Sequence, residues 1–464
     1  MVYVEKKGCP DVMLNRLKRL AAFQNPEFYR AQAMRLSTFD KPRIISCSED
    51  FPKHIGLPRG CLDEVITFLE DNRVKADVAD ERFTGSLIDI AFQGELRASQ
   101  EEAANAILQH DIGILSAATA FGKTVVAAWL IAKRGVNTLV LVHRRHLMDQ
   151  WHERLNMFLK SDDDKAAIGR IGGGKDRSTG IIDIGIIQSL NRKGTVKDMV
   201  AGYGQIIVDE CHHISAFSFE QVLKEAKASY VVGLTATPQR KDGHHPIIVM
   251  QCGPVRYRVD ARKQAALRPF EHIVVPRVTS FRIPNTEKAG IQDIYAALAQ
   301  DERRNEMIFD DLLKTLTEGR SPLILTERAD HVEKLAGMLK NFVKNIIVLK
   351  GGMGKKQRKE AAERLSEIRG DEERVIIATG RYIGEGFDDA RLDTLFLAMP
   401  ISWRGTLQQY AGRLHRYNEG KNVVQIYDYV DKEVPVLDRM YEKRIRGYRA
   451  MGYACKTADN RACH

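Results

Sequence analysis

No apolar run in the chain approaches the roughly 18 residues that a membrane-spanning helix needs. No secretory leader pattern opens it either. Cysteine is sparse and scattered, with seven residues among 464 and no CxxC pair. An odd, dispersed set argues against a disulfide framework and a thiolate zinc site, and predicts reduced thiols in a cytoplasmic setting. Cys455, Cys463 and His464 are the one grouping a metal could use; they read as a frayed tail rather than a ligand set. Low-complexity segments are lacking. Acidic residues are the minority charge, 61 against 71 basic, for a net charge of +10. That balance favours a polyanionic partner.

The length calls for two to four domains. Residues 1–92 read as a helical and small α/β accessory domain. Val12–Phe23 has apolar residues at helical spacing, and Asn25-Pro26 starts a second helix. Arg16, Lys18, Arg19 and Arg30 read first as a solvated helix face and second as nucleic-acid contacts. Short strands are expected at Pro42–Cys47, Val74–Val78 and Ser86–Ile90, with a helix at Cys61–Leu69. Residues 93–260 alternate strands and helices, with strands at Ile112–Ser116, Thr138–Val142, Ile182–Ile187, Ile206–Val208 and Tyr230–Leu234. Residues 261–300 are expected to be an irregular, Pro-containing connector. A second alternating block, 301–464, has strands at Leu323–Thr326, Ile346–Leu349, Val375–Ala378, Thr394–Leu397 and Val423–Tyr427, then a basic helix over Asp438–Met451. Alternation of this kind predicts parallel sheets covered on both faces. The fold class is therefore α/β, with two similar blocks and a ligand between them.

The chemistry begins at Ile112–Ala132. An apolar strand, a small-residue loop through Ala120, Phe121 and Gly122, then Lys123-Thr124 and an apolar helix form a polyphosphate cradle. Loop N–H groups and the helix N-terminus face the anion, Lys123 reaches the terminal phosphates, and the Thr124 hydroxyl ligates magnesium. Ile206-Ile207-Val208 ends in Asp209-Glu210, two carboxylates at the crest of a sheet. Asp209 is assigned to magnesium, and Glu210 to orienting and deprotonating a water. His212 links the pair to the next element, where Thr235 and Thr237 report the nucleotide state. In the second block, Thr379–Asp388 carries Gly384, Gly386 and Asp388; Gly386 permits close approach and Asp388 accepts from a ribose. Gln409–Arg416 brings Gln409, Arg413 and Arg416. The two arginines are three apart, which places them on one helix face. There they would offset charge developing on a γ-phosphoryl group.

In this order the segments resemble the conserved motifs of superfamily 2 helicases. Ala117–Thr124 resembles motif I, Asp209–His212 a DExH box reading DECH, Thr235–Thr237 motif III, Thr379–Asp388 motif V and Gln409–Arg416 motif VI. LVLVHRRHLMDQ at Leu139–Gln150, IIQSL at Ile186–Leu190 and Leu323–Arg328 match further motifs, and the resemblance spans about residues 95–430. The lead-in Leu57–Arg82 is similar to the XPB-like branch. Phrases such as GLPRGCLDE resemble the helicase part of TOTE conflict-system primase–helicases. The resemblance implies two tandem RecA-like domains and a split ATP site using ATP and Mg2+. Arg97 and Gln100 would read adenine. Arg144, Arg145, Gln188, Ser189, Thr326, Arg328, Gly351 and Gly352 would hold a nucleic-acid backbone. It implies a DNA helicase of 3′-to-5′ polarity acting on single-stranded or tailed duplex DNA, with a primase, nuclease or other defence protein as possible partner. Three alternatives stay open: a duplex translocase, a remodelling subunit of a defence complex, and an RNA helicase. Two departures stand out. Ala120 occupies a position where most relatives have glycine, and Ile186 one where many have threonine.

Overall fold

The structure is a computed structural model that describes residues 1–161, 168–192, 194–211, 216–236, 243–283, 289–380, 389–401 and 404–456. His212, Thr237, Gly384, Gly386, Asp388, Cys463 and His464 lie outside the described residues. Two compact units are present, Met1–Ala117 with Phe121–Val259, and Ala118–Ala120 with Asp260–His464. No helix among the described residues is long and apolar enough to cross a membrane. Cys9, Cys47, Cys61, Cys211 and Cys252 are free thiols.

The first unit is built on an eight-stranded sheet. Its order is Lys175–Arg177, Ile168–Gly172, Ile182–Ile186, Thr138–Val142, Gln205–Val208, Tyr230–Thr235, Ile112–Ser116, Val255–Arg258. Only the Lys175–Arg177 edge pairs antiparallel. Segments such as TLVLV and QIIV are apolar at consecutive positions because both sheet faces are covered. One core packs under Leu139, Leu141, Ile206 and Val208, the other under Val140, Val142, Ile207 and Val232.

The N-terminal module belongs to this unit and shares the first of those cores through Leu14, Leu17, Ile55 and Leu57. Val2–Glu5 pairs antiparallel with His54–Leu57, and Ala22–Gln24 with Ile44–Ser46. The helix Pro26–Ala33 begins as expected, with the Asn25 side chain accepting from Glu27 N at 3.0 Å. Arg59 fastens the module to the sheet layer. Its guanidinium donates to the carbonyls of Leu223, Ala226 and Ala228 at 2.8, 2.6 and 3.1 Å. Burial lowers its pKa to about 10. Gly60 sits so close to the helix Pro246–Cys252 that a Cβ there would fall 2.3 Å from the Val249 carbonyl oxygen.

Two expectations need correction here. Val74–Val78 and Ser86–Ile90 are not strands. The chain instead crosses the sheet's end as an irregular strap, making single bridges from Phe83 to Ala228 and from Leu87 to Val136. Gly85, at φ +96°, lies against the Gly204 backbone, and Asn137 Oδ1 accepts from both Ser86 N and Gly204 N at 3.0 Å. A side chain satisfies the backbone where a ladder would have done so.

The second unit holds a seven-stranded sheet, wholly parallel: Ile346–Leu349, Val375–Thr379, Pro322–Thr326, Thr394–Leu397, Val423–Val430, Glu271–Val278, Ala454–Cys455. Glu271–Val278 falls in the stretch expected to be an irregular connector. Pro276 disguises it, yet its eight residues pair in register with Val423–Val430 along their whole length. The terminal basic helix spans Pro435–Ala450, anchored by Arg444, which donates to both Asp428 carboxylate oxygens at 2.7 and 2.8 Å.

Candidate active site

Three neighbouring strands of the first sheet assemble the phosphate loop and the acidic pair. The loop leaves Ile112–Ser116 and the pair leaves Gln205–Val208; the strand Tyr230–Thr235 lies between them. Ala117 N donates to Thr235 O at 2.9 Å, and Cys211 N to Leu234 O at 3.1 Å. The predicted reporter strand is thus bonded on one side to the start of the phosphate loop and on the other to the residue after the acidic pair.

Ala120 has φ +67° and Gly122 φ +93°, so the loop makes two left-handed residues before the helix Lys123–Arg134. At Gly122 a side chain is excluded twice, by φ and because a Cβ would lie 2.3 Å from Gln100 Nε2. Lys123 Nζ donates to Ala117 O and to Glu210 Oε1, both at 3.1 Å. Thr124 follows in the first helical turn, half-buried. Phe121 has a fully buried side chain, so its part in the loop is played by its carbonyl. That carbonyl accepts from Arg97 at 2.5 Å and from Gln100 at 2.8 Å. Gln100 Oε1 in turn accepts from Arg97 N at 3.0 Å. The expected adenine readers therefore brace the loop in this structure, with both Gln100 polar atoms used inside the protein.

Asp209 is buried, and its Oδ2 accepts from Trp151 Nε1 at 2.7 Å. Burial and the neighbouring Glu210 push its carboxyl up to about 6, while the Trp151 bond and Lys123 pull it down. Glu210 itself has φ +44°, a strained backbone for a residue with a side chain. Two adjacent carboxylates under mutual repulsion are hard oxygen donors of the kind that suits a small divalent cation. Trp151 escaped sequence reasoning. Its one legible signal is apolar spacing with Leu147, Met148 and Leu155 on the helix Arg145–Phe158, which marks a core residue and not a carboxylate partner.

In the second unit, Gln409 and Arg413 lie on the helix Arg404–Leu414, and Arg413 is buried. Arg416 does not share that helix. The helix ends at Leu414, so Arg416 stands in the following turn and the expectation of one helical face is corrected. Lys421, also unforeseen, fixes the turn. Its Nζ donates to the carbonyls of Ala390, Leu392, Leu414 and Arg416 at 2.6, 2.8, 3.1 and 2.8 Å. Burial lowers its pKa to about 8.

Arg145 and Gln188 are exposed, while Arg144 and Ser189 are half-buried. They follow the paired strands Thr138–Val142 and Ile182–Ile186, which end in register at Val142 and Ile186. All four residues therefore follow the C-terminal ends of two neighbouring interior strands. Gly351 N donates to Thr379 Oγ1 at 3.3 Å, and both Gly351 and Gly352 are exposed. Thr326 is corrected: it is 1% exposed, and its hydroxyl bonds His331 Nδ1 at 2.9 Å, so its side chain serves the interior. Arg328 folds onto Asp330, with a shortest bond of 2.7 Å.

Comparison with known proteins agrees with this geometry. Residues 93–240 match a family profile described as "Type III restriction enzyme, res subunit", and 304–418 one described as "Helicase conserved C-terminal domain". The chain is similar to "Putative helicase 161L" of Invertebrate iridescent virus 6, 26% identical over 377 residues that make up 79% of this chain and 83% of that protein. It is 30% identical over 224 residues to "DNA 3'-5' translocase XPB2" of Sulfurisphaera tokodaii, covering 48% of this chain and 45% of the relative. Among solved structures, a fragment of a putative HsdR subunit of a type I restriction enzyme from Vibrio vulnificus shares the fold. Its TM-score is 0.57 at 19% identity, over 87% of this chain and 76% of that one. The chain belongs to the superfamily 2 helicases, ATP-hydrolysing enzymes with RecA-like α/β units that act on nucleic acid.

Proposed function

We propose that this chain is a DNA motor that couples ATP hydrolysis to 3′-to-5′ movement along one strand and to duplex unwinding. The observation that carries the reading is the Lys123–Glu210 pair at 3.1 Å, which unites the phosphate loop with the acidic pair in one small volume. Lys123 releases Glu210 to meet phosphate oxygens, and Glu210 then orients the attacking water and takes its proton. Asp209 and Thr124 would hold magnesium, which would supply charge neutralisation to the phosphates of a bound nucleotide. Trp151 keeps the Asp209 carboxylate aimed at that position. By the family resemblance, Arg413 and Arg416 take the role of offsetting charge on the γ-phosphoryl group, with Gln409 one helical turn before Arg413.

Hydrolysis removes the γ-phosphoryl group, so the conformation around the phosphate loop becomes nucleotide-dependent. Thr235, bonded to the loop's first residue, passes this state along its strand. Arg144, Arg145, Gln188 and Ser189 grip the backbone from the first unit, and Arg328, Gly351 and Gly352 from the second. Backbone contacts suit a motor because they do not depend on sequence. Similarity over 224 residues to a protein named as a DNA 3'-5' translocase supports the choice of DNA and of polarity.

The test is ATPase rate with single-stranded DNA, duplex DNA or RNA, followed by strand displacement on 3′-tailed and 5′-tailed duplexes. The expected result is stimulation by single-stranded DNA and displacement only from a 3′ tail. Glu210→Gln should bind ATP and lose turnover by at least about a hundredfold. Stimulation by RNA alone, or retained turnover in Glu210→Gln, would sink the reading.

A further inference from the structure

The turn over residues 34–43, between the helix Pro26–Ala33 and the strand Ile44–Ser46, has a surface that the motor reading does not use. Five of the eighteen strongly exposed large hydrophobic residues among those described fall between Tyr29 and Ile44. Phe39 is 100% exposed, Met34 64% and Leu36 60%. Such a cluster is costly on a soluble surface without a partner. Arg30, Arg35, Lys41 and Arg43 lie in the same stretch, with Asp40 as its one acid.

A second observation is independent of exposure. Arg35 has φ +54°, and the helix stops on it, with Leu36 N donating to Ala31 O at 2.9 Å. Glycine is the usual residue at this kind of stop, because a side chain there is strained. An arginine held at such a position points to work done by its side chain. A third observation ties the turn to the motor. Phe23 packs edge-on against His244 at 6.0 Å, and Pro26 lies against Gly243, where a Cβ would come within 2.5 Å of Pro26 Cγ. This part of the module is braced on Gly243 and His244, just ahead of the helix Pro246–Cys252.

An open aromatic ring among guanidinium groups is how proteins hold single strands without reading sequence. A base stacks on the ring and cations take the flanking phosphates. We propose that residues 34–43 form a second nucleic-acid contact, in which an unpaired base stacks on Phe39 while Arg30, Arg35 and Arg43 meet the backbone. The proposal rests on the chain acting on nucleic acid, and adds a site outside the two RecA-like sheets. Arg43 is already steadied for the task, its guanidinium lying 5.5 Å from the centre of the Phe28 ring.

The test uses the full chain, a fluorescent oligo-dT strand and anisotropy at several salt concentrations. Phe39→Ala should weaken binding about fivefold or more, with unchanged melting temperature and unchanged ATPase in the absence of nucleic acid. Arg30→Ala combined with Arg43→Ala should lower the slope of log Kd against log salt by about 1.4. Arg35→Gly should raise the melting temperature and still weaken binding, a combination that a purely structural role would not give. If the wild-type chain binds and all three variants bind alike, the proposal is overturned while the motor reading stands. If Phe39→Ala instead abolishes self-association in sedimentation and leaves oligo-dT binding intact, the surface belongs to a protein contact. A wild-type chain that binds no strand at all would defeat both readings.

Discussion

Single residues carry the strain and the unusual charges of this chain. Ala120 has a left-handed backbone, so its methyl group costs about 1–2 kcal/mol relative to glycine. The added freedom of an unfolded glycine returns about 0.4–1 kcal/mol of that. Ala120→Gly should therefore stabilise the protein by up to about 1.6 kcal/mol and move the KM for ATP by no more than about fifteenfold. Thermal melting with ATP titration checks both numbers. Lys421 is the opposite case, since four carbonyls converge on its ammonium group. Lys421→Met should cost about 2–4 kcal/mol, because buried acceptors lose their donor. It should also lower kcat more than it changes KM, since the turn bearing Arg416 loosens. Unchanged kcat in a folded Lys421→Met protein would separate this lysine from the arginines. Neither residue type announces its role. Ala120 stands out in sequence only against a family pattern, and Lys421 resembles any surface lysine until the chain closes around it.

Elements were legible in proportion to how local their causes are. Apolar runs such as TLVLV declare a buried parallel strand, and Asn25-Pro26 declares a helix start, because the signal sits within the element. The strand Glu271–Val278 is not legible in sequence, because Pro276 speaks locally for irregularity while its pairing partner lies far along the chain. Val74–Val78 and Ser86–Ile90 failed the other way: their apolar residues serve a strap whose backbone bonds to the Asn137 side chain. Trp151 and Gln100 show the same limit at the site, since which carboxylate or carbonyl each meets depends on tertiary closure. The N-terminal module gives a test at this scale. Arg59 makes three carbonyl bonds and Gly60 leaves no space, so the pair acts as a rivet between the module and the helices Ala216–Glu225 and Pro246–Cys252. Arg59→Ala should destabilise the first unit by about 2–4 kcal/mol. It should also open new cleavage sites within residues 1–92 under limited proteolysis. If digestion stays at the wild-type rate and pattern, the module is held by its shared apolar core alone.

At the scale of the whole molecule, buried histidines make the second unit sensitive to acid. Burial pushes His272 down to about 4 and His331 down to about 3, and lowers His415 well below the ordinary histidine range. Cationic neighbours add to it: Arg268 acts on His272 and His415, and Arg304 on His331, against a weaker opposing pull from Asp330. In the unfolded chain each would titrate near 6.5. Between that value and the folded one, the unfolded state binds more protons, so stability rises with pH across the window and is lost as pH falls through it. The contribution is fully present above about 6.5 and declines toward 4, at up to about 1.4 kcal/mol per pH unit for each histidine. The rings are also packed as a group, with His272 edge-on to His415 at 4.9 Å and to Tyr453 at 5.2 Å, and a charge on one is repelled by a charge on the other. Calorimetry from pH 7.5 to 4.5 should show a transition that weakens steeply below pH 6.5. His272→Phe keeps an aromatic ring in the cluster and removes one titrating group, so that transition should become less acid-sensitive while changing little at pH 7.5. A pH-independent transition, or a His272→Phe profile parallel to the wild type, would mean that these histidines do not stay neutral inside the fold.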